Sequence, residues 1–287
     1  MAHDNQSGPS DFQLRAQRMA DLAAERDEPI EKPPRVQLPI WAETERLIPN
    51  AMLRSALFSC ARRRQFVDDV LIASWADVEI RFSGQTLNQF DESVWMQIIH
   101  LFRQQHEPVD FKVRFYAKPF CRMLGGKGGG GSNVAKLRQS LVRLRGGTLL
   151  ISHNGMEYGG GVLNDFTHDE DRGFFVVTLN PKYLQLLSTG YTRVDWDTRK
   201  ALPTGIATWM QLYVQSHRAT KTSPHRIGLE QLHKLSGMGS SPKEFRRHLK
   251  RTMDLLKSHG VVESWRITDN GALEFIRPPA RKRSPRS

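Results

Sequence analysis

The stretch Ser236-Gly237-Met238-Gly239-Ser240-Ser241-Pro242-Lys243-Glu244 constrains the fold more than any other part of the chain. Its small residues break a helix and make a turn. Ser241 can then cap a new helix, with Pro242 at the first position and Glu244 three residues on to complete a capping box. Behind the cap, Phe245, Leu249, Thr252 and Leu256 fall on one helical face, while Lys243, Arg247, Lys250 and Arg251 fall largely off it. Residues 229–235 read as a short helix before the turn, and Gly260 ends the second helix. Strands over 261–268 and 272–276 follow, around Asp269-Asn270-Gly271, which suits a tight hairpin.

A similar pattern occurs upstream, behind a run of glycines. Residues 121–134 read Cys-Arg-Met-Leu-Gly-Gly-Lys-Gly-Gly-Gly-Gly-Ser-Asn-Val. A phosphate-binding loop needs Gly-x-x-x-x-Gly-Lys-Ser/Thr. Here Gly128 follows Gly126-Lys127, and Cys121 stands where the first glycine belongs, so the nucleotide reading fails twice. The run reads instead as a turn, with Ser132 capping a helix whose apolar stripe is Val134, Leu137, Leu141 and Leu144. Asn133, Lys136, Ser140 and Arg143 are assigned to the other face, with Arg138 and Arg145 beside them. Gly146-Gly147 stops the helix. A strand over 148–152, a turn at His153-Asn154-Gly155 and a second strand near 162–167 follow, then a polar turn and a strand over 174–179.

Each copy thus gives a short helix, a small-residue turn, a basic amphipathic helix, a glycine stop and a β-hairpin. That is the order of a winged helix-turn-helix, whose second helix enters the DNA major groove and whose hairpin reaches the backbone or minor groove. The expected fold class is α+β: two tandem winged-helix domains behind a disordered N-terminal arm. The arm is expected over 1–35, which is polar and closes with Pro29, Pro33 and Pro34. The first domain is expected over 36–195 and the second over 196–277, opened by a helix near 203–217. A basic tail, with Arg281, Lys282, Arg283 and Arg286, occupies 278–287.

Charge agrees with a polyanionic partner. A formal charge of +12 and a pI near 10.0 favour nucleic acid over membrane, because counterions released from DNA drive such binding. The expected DNA contacts are Ser132, Asn133, Lys136, Ser140 and Arg143 in the first copy. In the second they are Ser241, Lys243, Arg246, Arg247, Lys250 and Arg251. A further basic cluster, Arg62-Arg63-Arg64, has no assigned role. The two cysteines, Cys60 and Cys121, have no paired spacing, which argues against a disulfide framework or a zinc site. The N-terminus lacks a signal-peptide pattern, and no run approaches the roughly 18 apolar residues of a membrane span. A cytoplasmic protein is expected. His168-Asp169-Glu170-Asp171 reads as a charged turn between antiparallel strands rather than a metal site. The His-x-His pair of a rolling-circle nicking enzyme is missing, as are Gly-x-Ser-x-Gly and His-Glu-x-x-His. No enzymatic activity, metal or cofactor is expected.

Four segments carry a resemblance: Leu38-Pro39-Ile40-Trp41, Pro49-Asn50-Ala51-Met52-Leu53-Arg54-Ser55-Ala56-Leu57-Phe58, Phe175-Val176-Val177-Thr178-Leu179-Asn180-Pro181-Lys182 and Val194-Asp195-Trp196. They resemble the TrfA-type plasmid replication initiators, over about residues 36–276. The resemblance implies two winged helices that engage direct repeats (iterons) at a plasmid origin. It implies opening of an A·T-rich segment, with single-stranded DNA as a further partner, and recruitment of the host initiator, replicative helicase and polymerase sliding clamp. Monomers would initiate, whereas dimers or excess protein would repress. Leu57-Phe58 matches the Leu-Phe pair of clamp-binding peptides of the form Gln-Leu-Ser-Leu-Phe, although the glutamine is missing. The alternative is that Leu57 and Phe58 are core residues of a helix over 50–64. A two-domain winged-helix transcriptional regulator would share fold, charge and helices. Direct repeats beside an A·T-rich tract would favour the initiator, and a single promoter palindrome the regulator.

Overall fold

The computed structural model describes residues 38–279, apart from 54, 62, 73–78, 106–109, 126–129, 154 and 189. The expected N-terminal arm, all but the first two residues of the tail, and the centre of the glycine run lie outside the described residues. The chain opens with β1 (Glu45–Pro49), α1 (Asn50–Leu53) and a two-residue strand, β2 (Phe58–Ser59). Next come β3 (Phe66–Ile72), β4 (Glu79–Gln85), β5 (Leu87–Asn88) and the long helix α2 (Gln89–Gln104). β6 (Lys112–Tyr116), α3 (Ala117–Met123) and α4 (Gly131–Gly146) follow. Four strands come after: β7 (Thr148–His153), β8 (Met156–Gly160), β9 (Leu163–Asp169) and β10 (Phe174–Leu179). α5 (Pro181–Gln185), β11 (Tyr191–Asp195) and α6 (Trp196–Ala201) lead to α7 (Ile206–Gln215) and β12 (His225–Gly228). α8 (Leu229–Ser236), α9 (Pro242–Ser258), β13 (Ser264–Ile267) and β14 (Ala272–Ile276) complete the fold.

One mixed α/β motif occurs twice: α2-β6-α3-α4-β9-β10 and α7-β12-α8-α9-β13-β14. Its strands form three-stranded antiparallel sheets in the same order, β6-β10-β9 and β12-β14-β13, with the last strand central. Alternation drives this. Val113 and Phe115 on β6 and Phe175, Val177 and Leu179 on β10 are buried, as are Leu137, Leu141 and Leu144 of α4. The second core gathers Trp209, Met210 and Tyr213 of α7 with Phe245, Leu249, Met253 and Leu256 of α9 and Leu273 and Phe275 of β14.

The first copy differs from expectation at its hairpin. The strand over 148–152 does not pair with the one near 162–167. β7 pairs with β8, a strand whose Gly159-Gly160 end hid it in the sequence, and with β4. With β3 these make a separate sheet in the order β3-β4-β7-β8. Close packing steers the chain there: a Cβ on Gly147 would lie 2.6 Å from the Phe82 ring. The hairpin equivalent to β13-β14 is β9-β10, closed by the charged turn that follows His168.

Two ties join the copies. The Arg199 guanidinium of α6 is buried, 2.9 Å from Glu92 of α2. It also donates to the Gln89 carbonyl, the Ser93 hydroxyl and the Thr208 carbonyl of α7. Burial pushes the Glu92 carboxyl up to about 7, against the opposing pull of Arg199. The second tie follows β2. Cys60 packs into the core of the second copy, and its N–H donates to the Ser236 carbonyl at 2.8 Å. Gly237 faces this segment with φ of +60°, and a Cβ there would lie 2.6 Å from the Ser59 Cβ. No helix among the described residues is long and apolar enough to cross a membrane.

Candidate nucleic-acid interface

α9 is built as its sequence dictates. The Ser241 hydroxyl accepts from the Glu244 N–H at 3.3 Å, and a Glu244 carboxylate oxygen accepts from the Ser241 N–H at 3.2 Å. Pro242 occupies the first turn. Phe245, Leu249, Thr252, Met253 and Leu256 are buried, whereas Ser241, Lys243, Arg246, Arg247, Lys250 and Arg251 are exposed. Among the described residues, no salt bridge neutralises any of these five cations. The acid within the cluster, Glu244, is committed to the cap. Hydrogen bonds from Ser241 hold its carboxyl below the usual range. The result is a capped helix whose exposed face over 243–251 carries five cations against the one acid there, Glu244.

α4 departs from its sequence reading in two ways. The cap is Gly130 rather than Ser132, and its carbonyl accepts from the Asn133 N–H at 2.9 Å. Ser132 is therefore inside the helix, exposed; Lys136 is exposed and Asn133 half-buried. Ser140 and Arg143, expected in the interface, are buried against α2 instead. The Ser140 hydroxyl donates to Asp91 at 2.7 Å and the Arg143 guanidinium at 2.6 Å. Asp91 is fully buried and also accepts from the Asn88 N–H, closing the capping box of α2. The reason is geometric. Positions 137, 140, 141 and 144 form one i, i+3, i+4, i+7 face, so Ser140 belongs to the stripe and Arg143 flanks it. Arg138 and Arg145 remain exposed.

Leu57 and Phe58 are 3% and 1% exposed. The expected helix over 50–64 stops at Leu53, and Phe58 lies on β2, paired with Leu87 of β5. The Phe58 carbonyl also accepts from the Gln89 side chain at 2.7 Å. Their side chains are buried in the core rather than exposed as the clamp-binding expectation requires. The turn at 168–173 is closed by Asp169, whose carboxylate accepts from the Arg172 N–H at 2.9 Å. His168 stacks on Phe175 with centroids 4.0 Å apart. Among the described residues no three His, Cys, Asp or Glu side chains gather as a metal site.

Sequence reasoning passed over an open cavity of about 760 Å³ between α3, α4 and the β9–β10 turn. Tyr116, Lys118, Arg122, Arg138 and Arg172 line it. Tyr116 is 56% exposed, which is unusual for an aromatic residue at a strand end. The alternation Lys112-Val113-Arg114-Phe115-Tyr116 carries the signal, since Tyr116 falls on the polar side of β6.

The family described as TrfA protein matches residues 34–273. A curated relative, the plasmid replication initiator protein TrfA of Escherichia coli, is 27% identical over 244 residues, 80% of this chain. The chain spans 61% of that relative's length. Among solved structures, domains 2 and 3 of RctB align with a TM-score of 0.47 at 13% identity, covering 84% of this chain and 94% of that one. The Pi initiator protein, solved in complex with iteron DNA, aligns with a TM-score of 0.48 at 8% identity, covering 67% and 96%.

Proposed function

The chain belongs to the TrfA protein family, and from that premise we propose that it initiates plasmid replication by binding direct repeats at an origin. The two repeated motifs act as tandem winged-helix domains, bounded at about residues 36–195 and 196–277. α4 and α9 are their recognition helices, and β9-β10 and β13-β14 their wings. The observation that carries this reading is the exposed face of α9: Lys243, Arg246, Arg247, Lys250 and Arg251, without salt bridges among the described residues, on a helix fixed by its cap. Ser132, Asn133 and Lys136 of α4 make the companion contacts in the first domain. The curated relative, described as a plasmid replication initiator, supports the same activity. Opening of the adjacent A·T-rich segment follows from deformation of the repeat array, since flexible steps yield first. Recruitment of the host initiator, helicase and clamp belongs to this reading, with the clamp contact placed elsewhere than Leu57-Phe58.

Footprinting over the DNA flanking its own gene tests the proposal. Several direct repeats protected at helical-repeat spacing are expected. A single protected palindrome would overturn it in favour of a transcriptional regulator. If the two domains neutralise roughly eight phosphates, log K falls with log[salt] at a slope near −7, and a slope shallower than about −3 would exclude two-domain binding.

The domains do not contribute equally. α9 presents five exposed cations behind a full capping box, whereas α4 presents fewer, behind a glycine cap without a side-chain bond. Arg247→Ala is expected to weaken repeat binding by about 10-fold or more, as loss of a bidentate base contact does. Lys136→Ala, removing one phosphate contact, is expected to cost about 5-fold at physiological salt. Equal losses in titrations of the two variants would count against this division.

A further inference from the structure

The cluster Arg62-Arg63-Arg64 is left over by the two recognition helices. Arg64 turns inward, with a guanidinium nitrogen 3.9 Å from the buried Asp91. Arg63 is exposed and has no salt bridge among the described residues. It lines a cavity of about 580 Å³ together with Ala61, Gln65, Gly239, Ser240, Glu244, Arg247 and His248. The cavity therefore has one wall from the segment between β2 and β3 and another from the turn before α9 and the first coils of that helix.

Its lining carries more cations than anions. Arg63 and Arg247 face the space, and Glu244, the acid on its wall, is held by the Ser241 cap. The Ser240 hydroxyl oxygen is shielded from solvent and has no hydrogen-bond partner among the described residues. Hydrogen bonds hold the chain at Cys60 and at Gln65, on either side of Arg63. The Cys60 N–H bonds the Ser236 carbonyl at 2.8 Å, and Gln65 exchanges bonds with Thr86, N–H to hydroxyl at 3.1 Å and carbonyl to N–H at 2.9 Å. Arg63 and Arg247 thus line one cavity.

We infer that Arg63 is a second DNA-binding element of the α9 interface and grips a backbone phosphate of the duplex that α9 reads. The inference rests on the DNA-binding reading above and adds a contact from outside either helix-turn-helix. Two arginines lining one cavity are matched by a phosphodiester, which accepts from both at once. The contact positions rather than reads, so its energy is independent of base sequence.

Two duplexes of about 30 base pairs test this with the full chain: one carrying the DNA that flanks its own gene, one of unrelated sequence. Arg63→Ala is expected to lower affinity for both by about 5-fold at 0.15 M salt and to make the salt slope shallower by roughly 0.9, the share of one phosphate. Arg63→Lys should restore the slope, and thermal unfolding should match the wild type because Arg63 is exposed. Arg63→Ala binding with wild-type affinity and slope, while Arg247→Ala is weakened, overturns this inference alone. A loss confined to the gene-flanking duplex overturns the phosphate assignment. A wild-type chain that binds neither duplex overturns the DNA-binding reading, and this contact with it.

Discussion

The double substitution Leu57→Ala, Phe58→Ala is expected to leave the chain unfolded rather than merely deprived of a partner surface. Truncating a buried leucine costs about 2–5 kcal/mol and a buried phenylalanine about 3–5 kcal/mol. Adjacent residues do not add strictly, yet even a partial sum rivals the roughly 5–15 kcal/mol that holds an ordinary domain together. Phe58 also has its carbonyl bound by the Gln89 side chain at the start of α2, so losing its packing loosens the N-terminus of that helix. Circular dichroism during urea unfolding of the double variant and of Leu57→Ala alone measures this. A double variant that folds, binds repeats and fails only in clamp pull-down would return the pair to the surface.

Arg199→Ala should be nearly as damaging, at about 3–5 kcal/mol, because it strands a buried carboxyl. Glu92 loses its 2.9 Å partner while remaining 1% exposed. The carbonyls of Gln89 and Thr208 and the Ser93 hydroxyl lose a donor as well. The pH dependence identifies the cause. The Glu92 carboxyl stands at about 7, above its value of roughly 4.3 in an unfolded chain. Between those values the folded state holds a proton that the unfolded state has released. The group's contribution is therefore complete below about pH 4, declines as pH rises toward 7, and levels off beyond. In Arg199→Ala the ionised carboxylate has lost its counter-charge, so the decline should continue above pH 7. Glu92→Gln should remove this pH-dependent component. Denaturant midpoints across pH 5–8 decide the matter. An Arg199→Ala chain with wild-type midpoints would show that the tie between α2 and α7 is dispensable.

Local chemistry was legible in the sequence, whereas long-range partners were not. Ser241, Pro242 and Glu244 specify α9 through atoms within three residues of one another, so its start and its exposed face follow from the sequence. α4 lacks such a signal, because a run of glycines offers several equivalent starting points and Ser132 competes with none of them through a side-chain bond. The misassigned residues, Ser140 and Arg143, are polar side chains on a buried face. Their place depends on Asp91, which lies far away in sequence and is itself buried. Leu57 and Phe58 were undecided for a related reason: a two-residue parallel pairing with β5 has no period to detect. The duplicated sheet was half readable. The second hairpin closes locally around Asn270-Gly271, while β7 and β8 leave the first copy to join β4.

The pairing of β1 with β11 sets a timetable for synthesis. Glu45 finds its partner in Asp195, and Pro49 finds Tyr191. At about 5–20 residues per second the first strand waits roughly 7–30 s on the ribosome before its partner emerges. During that interval Leu47 and Ile48, buried in the finished fold, have no sheet to join. Cys60 waits longer, since the Ser236 carbonyl and the second core arrive later still. The nascent first domain therefore matures late and nearly together with the second. A chain cut short before residue 191 would leave β1 without its partner strand.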